Sequence, residues 1–568
     1  MMRRRSLYAL LLLTLIPTDS AWSDAPPAKG EGIRAYLDRQ DFPARVKSVT
    51  VTADSIQIQG DSLTAPDGTE LFLAEIRPHE DVTDPPEGRY LRAFAIKEEH
   101  GSFTHTTQRV LPIYDQIYSK WAVIARSATD DKAPDLLLSS AVYPTDLSAA
   151  AEWPDLKPAV SKTKKGVGGI HPDPKLFPDL AELGVGHITH NIILSSLLRQ
   201  KAGPDTIPHK YAGRTYHFAK SGVAVIDRVT EFAKANNIIV SAIILVPNVK
   251  DRDSWAGRIL THPDADPEGI YSMANVATFE GVNHYAATMR FLAQRYAQPD
   301  APYGRITHWI IHNEVDSGWV WTNAGAKSPH AYLDDYGKSM RIAYHAVRSY
   351  DPNAKVFISL THHWTTSHKP KDPKFYQPRQ LLSLLNRYGK VEGDFEWGLA
   401  YHPYPQSLFQ PRTWEDKDAR NDFDTPYITF KNIEVLDRWM RQAPFLYRGE
   451  KVRTIMLSEQ GFHTDKKKRI ESERNQAAAL AYAWKKIAKI DSIEAFQYHR
   501  WIDHEREGGL NLGLWTVKPG TITLPAEKKL SWSIFQALDT KRESETIEFA
   551  KEIIGIADWS EITMKATL

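Results

Sequence analysis

The sequence contains no cysteine. That absence removes thiolate catalysis, disulfide frameworks, thiolate metal sites and a lipid-anchor Cys. Charge of one sign is missing as well, since 71 Lys and Arg stand against 70 Asp and Glu over 568 residues. Without such a field there is nothing to hold nucleic acid or an anionic membrane, and a neutral or weakly charged ligand is expected. No apolar run approaches the roughly 20 residues of a spanning helix. The stretch from Leu7 to Ile16 is about half that length; it follows Arg3, Arg4 and Arg5 and precedes Ala21-Trp22-Ser23, a small-x-small cleavage pattern. These features predict a signal peptide over residues 1–23, removed on export to the periplasm or the outside. Losing three Arg and one Asp with it leaves 68 basic and 69 acidic side chains, a formal charge of −1.

What is present supports real cores: 42% of the side chains are hydrophobic and 25% charged. Residues 33–150 alternate short β-favouring runs such as VKSVTVTA, SIQIQG, ELFLAEI and KWAVIARS with turn residues, the texture of a small β-sandwich-like accessory domain. Its Tyr118 and Trp121 could hold carbohydrate or simply fill its core. After the polar stretch 151–165, apolar strands take turns with amphipathic helices, the pattern of β/α units on a parallel sheet. Eight strands can be counted: VGGI from 167, GHITHNII from 186, IIVSAIILV from 238, THWIIHN from 307, KVFISLT from 355, EWGLAY from 396, RTIMLSE from 453 and IEAFQYH from 493. Helices are expected at 222–236, 282–297 and 527–539, with Gly184 and Gly389 as C-terminal caps. Eight units over residues 165–540 predict an α/β fold, a (β/α)8 TIM barrel preceded by the sandwich-like domain, with 541–568 as a helical extension.

Loops after the C-terminal strand ends form the active site of such a barrel. The fourth strand ends in Asn313-Glu314 and the seventh in Glu459. A carboxylate leaving an apolar strand is tolerated mainly where function needs it, although a salt-bridged structural acid is the competing reading. Strands four and seven lie across a closed ring, so the two acids can face each other over its mouth. Glycoside hydrolysis requires such a pair: one acid protonates the leaving oxygen, and the second carboxylate attacks the anomeric carbon or activates water. The gap between them, unreadable from sequence, decides between retention and inversion of configuration.

The pairing of Asn-Glu on strand four with Glu on strand seven resembles clan A of the glycoside hydrolases, the retaining (β/α)8 enzymes. The resemblance covers about 165–540. It implies that Glu314 is the acid/base, that Asn313 binds the sugar 2-hydroxyl and that Glu459 is the nucleophile. His402 and Tyr404 in AYHPYP match the His and Tyr common after strand six of the clan, and Trp501 in QYHRW matches its aromatic platform after strand eight. The Tyr would hydrogen-bond the nucleophile. Two departures stand out: Val315 replaces the Pro found after the acid/base in several families, and His190-Asn191 stands where some place an Arg. As a whole the sequence is similar to bacterial domains of unknown function with clan A-like barrels.

Aromatic residues follow most strands: Trp255, Trp319, Trp321, Trp364, Tyr404, Phe462 and Trp501. A rim of this kind suits a glycan cleft, since sugar rings present apolar C–H faces, yet a large barrel also needs aromatic cover for its loops. Substrate contact is expected from Asn313, His402, Tyr404, Trp501, Trp364, Trp319, Asn191 and His171. No metal and no cofactor are expected: His362-His363, His187-x-x-His190 and His171 form no recognised metal motif, and Asp251, Asp253, Asp264 and Asp266 lack EF-hand spacing. The sequence thus predicts a secreted retaining glycoside hydrolase acting on a poly- or oligosaccharide, of β linkage by resemblance. Its alternative is a barrel that binds glycan without cleaving it. The partner is a carbohydrate, with no nucleic acid and no membrane span; oligomeric state is left open.

Overall fold

The computed structural model describes residues 28–563 except 62 and 98. The leader expected at 1–23 and the last five residues of the C-terminal extension lie outside the described residues. Eight parallel strands form the centre: β1 (Lys165–Val167), β2 (His187–Ile193), β3 (Ile239–Pro247), β4 (His308–Ile311), β5 (Lys355–Leu360), β6 (Trp397–Tyr401), β7 (Ile455–Gln460) and β8 (Ile493–Tyr498). Each pairs with the next, and β8 returns to β1 through Gly166 beside Gln497, so the ring is closed. The expected barrel is what the chain adopts, strand for strand. One boundary differs. The VGGI run contributes only Val167 to β1, and Gly168 onward is loop, with Gly169 at φ +62°. Two glycines weaken a strand and suit a turn.

Helices cover the outside, each placed by an apolar stripe. Phe279–Tyr296 starts at Thr278, whose hydroxyl accepts from Gly281 N, and buries Tyr285, Met289, Leu292 and Tyr296. Lys220–Ala235 buries Val223, Ile226 and Val229. The eighth helix is Leu530–Ala537, shorter than the expected 527–539. Gly184 has the left-handed backbone of a helix cap. Gly389, by contrast, is buried inside the helix Pro378–Glu392, which ends at Gly393 (φ 95°).

The barrel interior is layered. Ile243, Leu245, Ile310, Phe357, Ala400, Met456 and Ala495 form an apolar plug of their own, separate from the larger core between strands and helices. Parallel strands keep register partners on one face, so the inner face can be followed upward from this plug. Asn191 is the partner of Ile243, Ser359 lies two residues beyond Phe357, His402 two beyond Ala400 and Ser458 two beyond Met456. A polar layer thus caps the apolar one.

Before the barrel stand a two-stranded ladder, Val110–Leu111 with Tyr114–Asp115, and two larger antiparallel sheets. One orders Arg45–Val51, Ser55–Asp61 and Ser102–Gln108; the other orders Arg92–Ala95, Thr69–Ile76, Lys120–Ser127 and Leu136–Leu137. Their inner residues, among them Val49, Ile58, Leu73 and Val123, join the same core as the barrel helices. Tyr118 and Trp121 are both buried in it, as core aromatics rather than as a carbohydrate surface. Lys120 reaches across to the barrel helix at Glu392, Nζ to Oε1 2.8 Å, with both side chains buried.

Candidate active site

Asn313 and Glu314 leave β4 through an unusual backbone. His312 has φ 63° and Glu314 has φ 37°, ψ 61°, left-handed values that cost non-glycine residues energy and that cluster at functional sites. Their effect is to turn Glu314 from the strand direction into the mouth. Glu459 is turned by other means. Leu457 of β7 pairs with Phe496 and Gln460 with Tyr498, so two residues of β7 oppose one of β8 across Ser458–Glu459. A bulge of this kind re-aims side chains, and here it lets Ser458 and Glu459 both reach the site.

The two turns bring the acids together. Oxygens of Glu314 and Glu459 and a ring nitrogen of His402 all lie within 4.8 Å of one another. His402 sits at the centre of the polar layer. Its Nδ1 is 3.0 Å from Glu314 Oε1, and its Nε2 is 3.0 Å from Ser458 Oγ and 3.3 Å from Ser359 Oγ. Ser359 also accepts from Glu314 N at 3.1 Å and donates to Asn313 Oδ1 at 3.4 Å. Tyr404 OH donates to Glu459 Oε1 at 3.0 Å. Burial alone would push the His402 imidazole down, but the charge of Glu459 and the hydrogen bond and charge of Glu314 hold it above its usual value. Burial above all, then the charge of Glu459, pushes the Tyr404 phenol far up, so it stays a neutral donor.

A further acid stands behind Glu314. Asp316 is wholly buried and accepts from Thr361 N at 2.9 Å and from Thr361 Oγ1 at 2.5 Å, tying the Glu314 loop to the end of β5. Burial raises its carboxyl to about 7, against the Thr361 hydrogen bonds and with help from the Glu314 charge. Beyond β8, Glu507 accepts from His499 at 2.8 Å and meets Arg500 at 3.3 Å. Burial would raise the Glu507 carboxyl, but the Arg500 and His499 charges bring it down to about 2.

Of the residues singled out in the sequence, Asn313, Glu314, His402, Tyr404 and Glu459 are gathered in this network. Asn191 is exposed on the inner face, and His171 is half-buried in the loop after β1 with an unpartnered Nδ1. Trp319 is half-buried, under the Lys374 ammonium. Two expectations are corrected. Trp364 is 0% exposed, its N–H on Phe423 O; Trp501 is 1% exposed, its N–H on Asp179 at 2.6 Å. Both are interior packing residues rather than platforms for a sugar ring. Trp255 packs edge-on against His284, and Phe462 is buried, so the aromatic rim is reduced to Trp319 and Trp321, the latter stacked on Tyr271. Sequence reasoning missed Ser359, Ser458, Asp316 and Glu507. The first two were within reach, since both lie two residues past an inward apolar residue, where strand alternation puts a side chain on the inner face.

Among the described residues, Glu314, His402 and Glu459 are the one group of three donors close enough for an ion. One imidazole and two carboxylates suit a divalent cation, which would engage both acids at once. His362 and His363, stacked at 4.6 Å, belong to no such group, and burial pushes the His363 imidazole down to about 3. A large cavity of about 760 Å³ opens instead at the opposite end of the barrel, beside Lys164, Thr454 and Ile493. It touches no strand C-terminus and lies apart from the Glu314–His402–Glu459 group.

Three solved structures illustrate the likeness. A family 39 glycoside hydrolase from Bacteroides cellulosilyticus WH2 aligns over 88% of this chain and 83% of its own, at 12% identity and a TM-score of 0.43. A monomeric β-xylosidase from Caulobacter crescentus CB15 aligns over 68% and 70%, at 14% identity and a TM-score of 0.41. A β-glucuronidase from Bacteroides uniformis aligns over 87% of this chain but 49% of its own, at 11% identity and a TM-score of 0.35, so the chain spans about half its length. Likeness this remote says nothing of substrate. No curated protein matches the chain. Residues 157–562 match the family described as "Family of unknown function (DUF5722)", and the chain belongs to that family.

Proposed function

We propose that this protein is a retaining glycoside hydrolase with Glu459 as nucleophile and Glu314 as acid/base. The observation that carries the reading is the approach of the two carboxylates, with oxygens inside 4.8 Å. Retaining enzymes hold their carboxyl groups about 5–5.5 Å apart, whereas inverting enzymes leave about 6.5–9.5 Å for a water. The short gap favours direct attack. Glu459 forms a bond to the anomeric carbon as the glycosidic C–O bond breaks, and Glu314 gives its proton to the departing oxygen. Glu314 then takes a proton from water, whose oxygen displaces Glu459 and restores both groups. Tyr404 orients the nucleophile. His402 engages Oε1 of Glu314 and so orients the acid/base.

The substrate in this reading is a poly- or oligosaccharide, β-linked by the clan A resemblance, met after export directed by residues 1–23. Binding without cleavage is the weaker account, because it gives no reason for two acids to converge. The test is a panel of aryl glycosides and soluble polysaccharides followed by proton NMR of the first-formed product. Retained anomeric configuration, and loss of turnover by roughly four orders of magnitude in Glu459→Ala, are expected. Inverted product, or full turnover in that variant, would remove the assignment.

A further inference from the structure

Three of the 16 tryptophans end on one carboxylate. Trp501 and Trp515 donate to Asp179 Oδ2 at 2.6 and 2.9 Å, and Trp532 donates to Oδ1 at 3.0 Å. Asp179 lies on the short helix Phe177–Glu182 after β1, while the tryptophans lie beyond β8 and on the eighth helix. Half-buried Trp515 turns its N–H inward, and the Lys528 ammonium stands 5.4 Å from its ring centroid. Trp515 borders a cavity of about 310 Å³ whose apolar walls include Leu176, Pro178 and Pro525 and whose lining includes the exposed Lys175, Glu182 and Lys528. The hairpin carrying Trp515 also exposes Ile522 and Leu524.

The loops that build this cavity leave β1 and β8 on the same C-terminal face of the barrel as Glu314 and Glu459. Arg500, next to Trp501, lies so close over Gly169 that an added Cβ would meet it at 3.0 Å, and the neighbouring Gly168 lies against His499 and the Ser458 carbonyl. The cavity is thus joined to the mouth by consecutive residues of the β1 and β8 loops.

We propose that this cavity is a second carbohydrate site that takes one sugar ring of a neutral glycan against Trp515. The choice of ligand class rests on the glycosidase reading; the choice of an uncharged ring rests on the cavity itself. Its edge carries ammonium and carboxylate groups together, so neither an anion nor a cation is favoured, while both groups can hydrogen-bond hydroxyls. Its apolar walls, Leu176, Pro178 and Pro525, suit the C–H face of a pyranose. A volume near the lower end of the roughly 300–1,000 Å³ of small-molecule sites fits a sugar ring or two and excludes a helix or folded partner.

The experiment is affinity electrophoresis through gels containing barley β-glucan, xylan or glucomannan, with every variant built on Glu459→Gln so that the polymer survives. Retardation of the parent, weakened about five- to tenfold in Trp515→Ala and largely kept in Trp515→Phe, is expected from the loss of one stacking face. Phe keeps a ring but cannot donate to Asp179. Equal weakening in both variants would show that only the Asp179 knot matters and would overturn the site, as would an unretarded parent or an unaffected Trp515→Ala. Turnover of aryl glycosides by the native protein tests the glycosidase reading separately, so failure of one is distinguishable from failure of the other.

Discussion

The barrel holds acids at both ends, and their partners differ. At the lower end Glu494 meets His308 Nε2 at 2.9 Å and the Lys355 ammonium. Burial would raise its carboxyl, but the His308 hydrogen bond and the two neighbouring charges hold it far below the ordinary range. At the mouth, beyond the apolar plug, Glu314 meets an imidazole and Glu459 a phenol. An ammonium fixes its partner as an anion at any working pH. Both ends thus place an imidazole on a carboxylate, and what sets the lower acid apart is the Lys355 ammonium beside it. Under the proposed function the contrast separates scaffolding from chemistry, in line with the general division in such barrels between a stabilising lower face and a catalytic upper one.

Substitution can break this contrast, and the largest effects come first. Glu314→Gln is expected to lower kcat roughly 10²- to 10⁴-fold on substrates with poor leaving groups, with much less loss on activated aryl glycosides. Glu494→Gln should do the reverse, keeping turnover while lowering Tm by about a degree or two, because it leaves buried His308 and half-buried Lys355 without their carboxylate. Steady-state kinetics beside thermal melts checks both; if Glu494→Gln lost activity without losing stability, the division between the two ends would fail.

Asp316 sharpens the contrast through pH. Its folded carboxyl is raised to about 7, so the folded state keeps a proton that the unfolded state releases at ordinary carboxyl values. That contribution is fully present below about 4 and is lost as pH rises through about 7. Asp316→Asn should therefore match the native protein in Tm near pH 4 and exceed it by a few degrees at pH 8. Removing the nearby charge should also move the alkaline limb of the kcat/KM profile to lower pH, by about one unit or less. The smallest effect is expected from Tyr404→Phe: about tenfold in kcat, the scale of one hydrogen bond to a charged group, with Tm unchanged.

Much of this was legible beforehand because the barrel writes itself as a period. Eight apolar runs separated by amphipathic stretches gave the strand count, and the count placed Glu314 and Glu459 across from each other. The aromatic residues were less readable. Trp364 and Trp501 follow strand ends as a platform would, but loop packing, which no local pattern encodes, decides whether an indole faces ligand or interior. The bulge at Ser458–Glu459 was likewise hidden, since it is a property of the pairing between β7 and β8. Gly389 misled for a related reason: a glycine within helical spacing reads as a stop, and here it lies inside a helix that Gly393 ends.

The ion pair between Lys120 and Glu392 joins a sheet before the barrel to a helix of it, with both charges out of water. Asp334, Lys338 and Arg341 lie beside Glu392 as well, so deleting the leading sheets would take one cation out of a buried charge cluster and uncover the rest. The small sheets are therefore no detachable tag on the barrel. The two parts have to be inherited, expressed and engineered as one object.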